Sequence, residues 1–360
     1  MTNWQDELRF NFVSPEELFP EETDLETLRR VTQAYPMSVT RYYASLIDRN
    51  DPDDPIRRMC VPSAAELDAG GAADTSGEAS NTKSTGVQHK YGPTALILST
   101  NLCAAYCRHC FRKRMAGVSD AEIAKTLDEA VAYISDHDEI TNVLITGGDA
   151  LLNNNAVIEE YLRRLSAIDR LTMIRFGSRV PVVFPQRIYE DEELLSLFSQ
   201  YSKKKKLYFS TQFNHPRELT PEAKRAVDAL HDANVILHNQ TVLLRGVNDT
   251  PETLAALMSG LTGFGVTPYY LFQCRPTAGV QSLFQVPVTE GYDIVEAAKA
   301  RLSGYSKRFR YVMSHHTGKI EILGKTGDGR MVFKYHQAKE KKNQGRLFVE
   351  TLSDTDCWLP

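Results

Sequence analysis

Three cysteines fall within the eight residues CAAYCRHC: Cys103, Cys107 and Cys110. Several chemistries use thiols placed this way. A structural zinc ion takes four ligands, with His109 available as the fourth. Cys107 and Cys110 form a C-x-x-C suited to a redox pair. Free cysteines also pack as small hydrophobes. Arg108, His109, Arg112, Lys113 and Arg114 make the segment too polar for a core, and Cys107, His109 and Cys110 are spaced too tightly for an ordinary zinc finger. What remains is an iron–sulfur cluster on three thiolates, with one iron left open for a substrate or cofactor. A second candidate is Gly147-Gly148-Asp149. Two glycines let backbone approach a ligand closely, and the carboxylate accepts from an ammonium; the plainer reading is a glycine turn.

These residues need a scaffold that brings distant strand ends together. From residue 95, short apolar runs alternate with amphipathic stretches, as parallel βα units do. The runs are 95–100, 142–146, 172–176, 206–211, 235–239 and 267–273. Helical patterns lie near 121–135, 156–168, 190–202, 220–232, 251–263 and 289–302. In the second of these, Val157, Ile158, Tyr161, Leu162 and Leu165 are expected to share one core-facing side. Each run ends in unusual polar residues: the cysteines, GGDA, GSR, QFNHP, HNQ and QCR. Six such ends converge naturally only at a barrel mouth, so the expected fold is α/β, a partial (β/α)6 barrel.

Residues 93–305 are expected to form that barrel. Residues 1–92 read as an N-terminal helical and irregular region. Within it, 66–86 is poor in apolar residues and reads as a loop with little means to bury itself. Residues 306–360 read as a β-rich extension: KIEILG and RMVFKY flank the turn KTGDG, and GRLFVETL adds a strand.

The 360-residue chain is 42% apolar and 24% charged with a formal net charge of −4, a composition that carries no nucleic-acid footprint. Lys203–Lys206, four lysines in a row, is the densest basic block and reads as a solvated connection. The first residues are charged and polar rather than leader-like, and no apolar run approaches the roughly 18 residues of a membrane span. Six cysteines in this length are too few for a disulfide scaffold. A cytoplasmic enzyme with reduced thiols is expected, with a homo-oligomer compatible with everything above.

The C-x-x-x-C-x-x-C spacing after a first barrel strand resembles the radical SAM enzymes. That resemblance implies a 4Fe–4S cluster on Cys103, Cys107 and Cys110, with the open iron binding S-adenosylmethionine. One electron, from a donor such as flavodoxin or ferredoxin, then yields a 5′-deoxyadenosyl radical that takes hydrogen from a substrate carbon. Gly147, Gly148 and Asp149 would contact the methionine amino group. More narrowly, CRHCFRKR, TGGDALL, GSRVPVVFPQRI, FNHPREL, NQTVLLRGVND and PYYLFQC together resemble the lysine 2,3-aminomutase family over roughly residues 40 to 305. The family resemblance implies pyridoxal phosphate as a further cofactor and a 2,3-amino shift on a small amino-acid-type substrate. It also places His109, Asp149, Arg179 and Gln240 around S-adenosylmethionine and Arg112 on the substrate carboxylate, a role suited to a guanidinium fork.

The chain departs from the family pattern at informative positions. Where the family has two phosphate-gripping arginines in H-R-Y-P-D-R, this chain has HKYGPT, with Lys90 and Thr94 in their places and Tyr91 kept. The cofactor lysine of the family's G-G-G-G-K-T-P corresponds to Lys319 in SHHTGKIEI, where one glycine survives; a plain strand lysine is the alternative. Arg275 stands where the family's aspartate binds the distal ammonium of lysine, which argues against lysine and for an acidic side chain or a phosphate. A relative without pyridoxal phosphate, running another radical reaction such as epimerisation, is the rival reading. Cys274 and Cys357 are then candidate hydrogen donors, Cys274 facing the mouth, against the plainer reading of ordinary cysteines. A non-catalytic metal-binding barrel is a third reading, and the joint presence of the cysteines and Gly147-Gly148-Asp149 argues against it.

Overall fold

Local chemistry sets the helix boundaries. Thr220 and Thr250 each accept a hydrogen bond from the backbone N–H three residues on, and a proline follows each at the first helical position. Asn154 and Asp191 cap two more helices in the same way. The resulting barrel helices are Leu127–Ser135, Asn155–Ser166, Glu192–Ser202, Pro221–Asp232, Pro251–Gly263 and Val288–Ala300. Five lie close to the stretches the sequence predicts, and the first begins at Leu127, six residues after its predicted start, because 121–126 form turns. Val157 is an exception to the predicted apolar face: it is 39% exposed, while Ile158, Tyr161, Leu162 and Leu165 are buried. It sits at the rim of the helix stripe.

The computed structural model describes residues 4–22 and 24–360. Twelve strands form one sheet in sequence order. They are β1 (Thr82–Ser84), β2 (Val87–Tyr91), β3 (Thr94–Thr100), β4 (Asn142–Gly147), β5 (Met173–Gly177), β6 (Lys206–Thr211), β7 (Val235–Leu243), β8 (Thr267–Gln273), β9 (Arg310–His315), β10 (Gly318–Lys325), β11 (Met331–Ala338) and β12 (Leu347–Glu350). The six predicted runs are β3 to β8, all parallel. β9 pairs parallel to β8 and continues the partial barrel as a seventh strand, and β10, β11 and β12 follow antiparallel. β7 runs four residues past the predicted end. Its HNQT stretch reads as a polar strand end, but Asn239 and Thr241 are buried and satisfied by each other and by Phe213. Among the described residues no helix is long and apolar enough to cross a membrane.

The two faces of the parallel strands differ sharply. Ile174, Phe176, Leu207 and Phe209 are fully buried toward the helices, with the Phe198 ring set edge-on to Phe176 and Phe209. The alternate residues point inward, as strand periodicity requires. They include Arg175, Tyr208, Ser210, His238 and Gln240, and each keeps some open surface. The barrel interior is therefore a polar space rather than a packed core.

Residues 66–86 form structure the composition does not announce: the short helix Glu78–Asn81, β1, and a bridge from Ala72 to Thr277 beyond β8. Gly71, at φ +77°, lies so close to Thr277 and Ala278 that a Cβ would sit 2.6 Å from their backbone. Burial here comes from acids rather than apolar side chains. Glu66, 1% exposed, accepts from Arg108 Nε at 2.9 Å and pairs with Lys113 at 2.5 Å. Removing one partner of a buried pair leaves an uncompensated charge and costs about 3–5 kcal/mol. Glu66→Gln is accordingly expected to lower the denaturation midpoint sharply in urea unfolding, whereas removal of the exposed Glu340 carboxylate leaves it in place.

Candidate active site

The cysteine loop is clamped from both sides. The Gly148 N–H donates to Thr100 O at 2.6 Å and the Asp149 N–H to Leu102 O at 2.7 Å. A Cβ on Gly147 would lie 2.1 Å from Thr100 O, and one on Gly148 would lie 2.2 Å from Leu102 O. The close approach these glycines allow is thus to the backbone of the chain's own cysteine loop. Asp149 is likewise engaged: Oδ2 accepts from the Arg179 N–H at 2.7 Å and Oδ1 from the Leu151 N–H at 3.0 Å.

Cys103, Cys107 and Cys110 are free thiols. Burial, then the Asp149 carboxylate and the neighbouring thiols, pushes Cys103 up, and burial, then Cys107, raises Cys110 to about 11. Among the described residues no three His, Cys, Asp or Glu side chains converge tightly enough to hold a single metal ion. His109 is buried between Asn214, whose amide faces its Nε2 at 3.2 Å, and the edge of Phe284. Its Nδ1 is buried without a hydrogen-bond partner. Arg179 donates from Nη1 to Cys107 Sγ at 2.8 Å. Gln240 lies inward on β7 beside a register shift in its pairing with β8.

Arg112 is held by an acid that sequence reasoning missed. Glu78 Oε1 accepts from its Nε at 2.9 Å and Nη2 at 2.8 Å, while Oε2 accepts from Arg114 at 2.8 Å. Burial opposes the charge of Glu78, but the Arg112 guanidinium and Arg114 outweigh it and hold its carboxyl down at about 2. Arg112 Nη1 points to Gly147 O at 3.4 Å, which leaves its Nη1/Nη2 edge the least engaged. No apolar pattern marks Glu78. The available signal was the row of bases in RHCFRKR, which has no acid of its own.

Arg275 stacks on the Phe111 ring at 4.0 Å, and its Nη1 is buried and unpartnered. The hydroxyl of Tyr91 and Nε of Arg175 are unpartnered as well. Lys90 donates to His315 O at 2.6 Å and Ser76 O at 3.3 Å. Lys319 Nζ lies 4.1 Å from the Tyr270 ring centre and 5.7 Å from that of Phe272. Burial, then Arg175, Lys90 and Arg275, pushes Lys319 down to about 7. Arg175 and His238 were legible in principle as polar residues inside apolar strand runs.

Cys274 is 1% exposed and packs among buried hydrophobic residues, and burial raises its thiol to about 12. Cys357 lies beside it in the C-terminal tail, fastened by Gln273 Nε2 donating to Cys357 O at 3.0 Å.

Thiols, glycine turn and inward cations thus share one end and the interior of a parallel barrel. The Radical SAM superfamily model matches residues 97–258, and the protein is a radical SAM enzyme. A relative from Aquifex aeolicus is 45% identical over 345 residues, covering 95% of this chain and 91% of its own. The L-lysine 2,3-aminomutase of Acetoanaerobium sticklandii is 39% identical, covering 84% of this chain and 73% of its own. The glutamate 2,3-aminomutase of Clostridioides difficile is 36% identical, covering 78% and 65%. The chain belongs to the lysine 2,3-aminomutase family, isomerases that depend on a 4Fe–4S cluster, S-adenosylmethionine and a reductant.

Proposed function

We propose that the protein is an aminomutase for a small anionic amino acid such as glutamate, with pyridoxal phosphate held at Lys319. The observation that carries this reading is the inward set Lys319, Arg175, Lys90 and Arg275. The charged neighbours that depress Lys319 are all cations; two of them, Arg275 at Nη1 and Arg175 at Nε, have buried donors without partners, as does the hydroxyl of Tyr91 next to Lys90. Buried donors left without acceptors cost free energy, so such a space suits a ligand rich in anionic oxygens.

Cys103, Cys107 and Cys110 would hold the cluster, and His109, with its unpartnered Nδ1, would border S-adenosylmethionine. When bound, the cluster and S-adenosylmethionine would supply hydrogen-abstracting radical chemistry, and pyridoxal phosphate would supply the aldehyde that carries an amino nitrogen. The chain's own residues do the rest. Arg112, steadied by Glu78, offers its Nη1/Nη2 edge to a substrate carboxylate. Arg275, braced on Phe111, faces the substrate's far end. Tyr91, its hydroxyl unpartnered, would reach toward a phosphate, and Lys90, held on the His315 and Ser76 carbonyls, would add a point charge where the family has a fork. Flavodoxin or ferredoxin would supply the electron. The rival use of Cys274 as a hydrogen donor is disfavoured by its burial in the core.

The test is anaerobic reconstitution followed by incubation with glutamate, aspartate and lysine, reading 3-amino products by mass spectrometry. A product from an acidic substrate is expected. Truncating a buried charged pair costs about 2–5 kcal/mol, so Arg275→Asp should cut kcat/KM for the acidic substrate by at least about thirtyfold. Unchanged preference between glutamate and lysine in that variant would show that Arg275 reads no part of the substrate.

A further inference from the structure

Arg179, which the family resemblance sets beside S-adenosylmethionine, has its guanidinium already occupied. Nε donates to Gln212 O at 3.2 Å, Nη1 to Cys107 Sγ at 2.8 Å, and Nη2 to the Tyr43 hydroxyl at 2.9 Å and Glu218 Oε1 at 2.5 Å. Its backbone N–H is fixed on Asp149. Glu218 is fully buried and locked in turn: Tyr43 donates to Oε1 at 2.7 Å, and the backbone N–H groups of Asn214 and His215 donate to Oε2 at 2.5 and 3.0 Å. Three separated parts of the chain therefore hold one permanent cation against one thiol. The guanidinium stays charged at any accessible pH.

We propose that Arg179 is a positioning residue that sets the reduction potential of the cluster through Cys107. The inference rests on the proposed ligation by Cys103, Cys107 and Cys110. A reduced cluster carries one more negative charge than an oxidised one. A cation hydrogen-bonded to a ligating sulfur stabilises the reduced form more, and hydrogen bonds to sulfur are among the factors that set such potentials. Glu218 meets the guanidinium at Nη2, whereas Cys107 meets it at Nη1. The carboxylate thus moderates the cation without touching the sulfur. Arg179 makes the electron easier to accept, and Glu218 makes it harder.

The experiment is an EPR-monitored redox titration of the reconstituted holoenzyme without S-adenosylmethionine, comparing wild type with Arg179→Gln, Glu218→Gln and Tyr43→Phe. In Arg179→Gln the ratio of reduced to oxidised cluster at a fixed potential should fall about tenfold, equivalent to about 59 mV downward for one electron. In Glu218→Gln the midpoint should move upward, and in Tyr43→Phe it should stay near wild type. A merely structural role would lower the melting temperature of both charge variants and leave their midpoints together. Arg179→Gln strands Glu218 and is the variant more prone to misfold; Glu218→Gln alone, shifted upward, still supports the assignment. Midpoints unchanged, or moved in the same direction in both, overturn it. A wild-type protein that takes up no iron and sulfide overturns the ligation itself, a result distinct from either.

Discussion

Replacing Cys103, Cys107 or Cys110 by alanine is expected to abolish reductive cleavage of S-adenosylmethionine, the largest effect of any single change in this chain. Each thiol sits in the loop after β3, tied to the Gly147-Gly148-Asp149 turn by two backbone hydrogen bonds. The loop is also fastened by the Glu66 and Glu78 ion pairs. A neighbouring side chain cannot swing in to replace a lost ligand, because His109 is packed against Asn214 and Phe284. The cost is not a packing cost, since alanine is smaller and the loop's anchors are backbone and ionic. The checks are iron and sulfide content after reconstitution and 5′-deoxyadenosine release under reducing conditions. Circular dichroism should show the fold retained. A triple alanine variant that still carries a full complement of iron and sulfide would falsify the ligand assignment.

The contrast between what was legible in the sequence and what was not follows the kind of force involved. β3 to β8 and their helices are written in period: apolar residues alternate or recur every third or fourth place, and caps such as Thr220-Pro221 mark the ends. Motifs in a single loop, such as the three cysteines, are equally visible because their spacing is local. Burial by ion pairing is not. Residues 66–86 look solvated because they lack apolar side chains, yet Glu66 and Glu78 are buried against bases 42 and 34 positions away. Only the tertiary fold brings them together. The role of the glycines in Gly147-Gly148-Asp149 was half legible: their need for space was clear, but the occupant proved to be the cysteine loop's own carbonyls. Cys274 was legible as a thiol at a strand end, but its near-complete burial was not.

Lys319→Ala is expected to remove covalent capture of pyridoxal phosphate, and in the wild type that capture should rise with pH through neutrality. Attack on an aldehyde needs the free amine, and desolvated lysines beside other cations are suited to it. At an ordinary lysine pKa only about one amine in several thousand is free at pH 7. Burial, then Arg175, Lys90 and Arg275, brings Lys319 to about 7, where about half is free. Below that value the ammonium form dominates and capture declines; above it capture levels off. A bound phosphate would pull the value back up by opposing the cations, so the midpoint should lie at or somewhat above 7. Lys90 is the natural competitor, since burial also brings it to about 7. Geometry separates the two. The Lys90 amine is committed to the carbonyls of His315 and Ser76, contacts that favour the ammonium, whereas Lys319 Nζ rests over the faces of Tyr270 and Phe272. The measurement is borohydride trapping of the anaerobic protein with pyridoxal phosphate across pH 6 to 9, followed by digestion and mass spectrometry. A phosphopyridoxyl group on Lys319 supports the aminomutase reading. The same label on Lys90, undiminished in Lys319→Ala, would reassign the anchor. Turnover that proceeds with Lys319 unmodified and no pyridoxal phosphate present would place the reaction outside the amino shift.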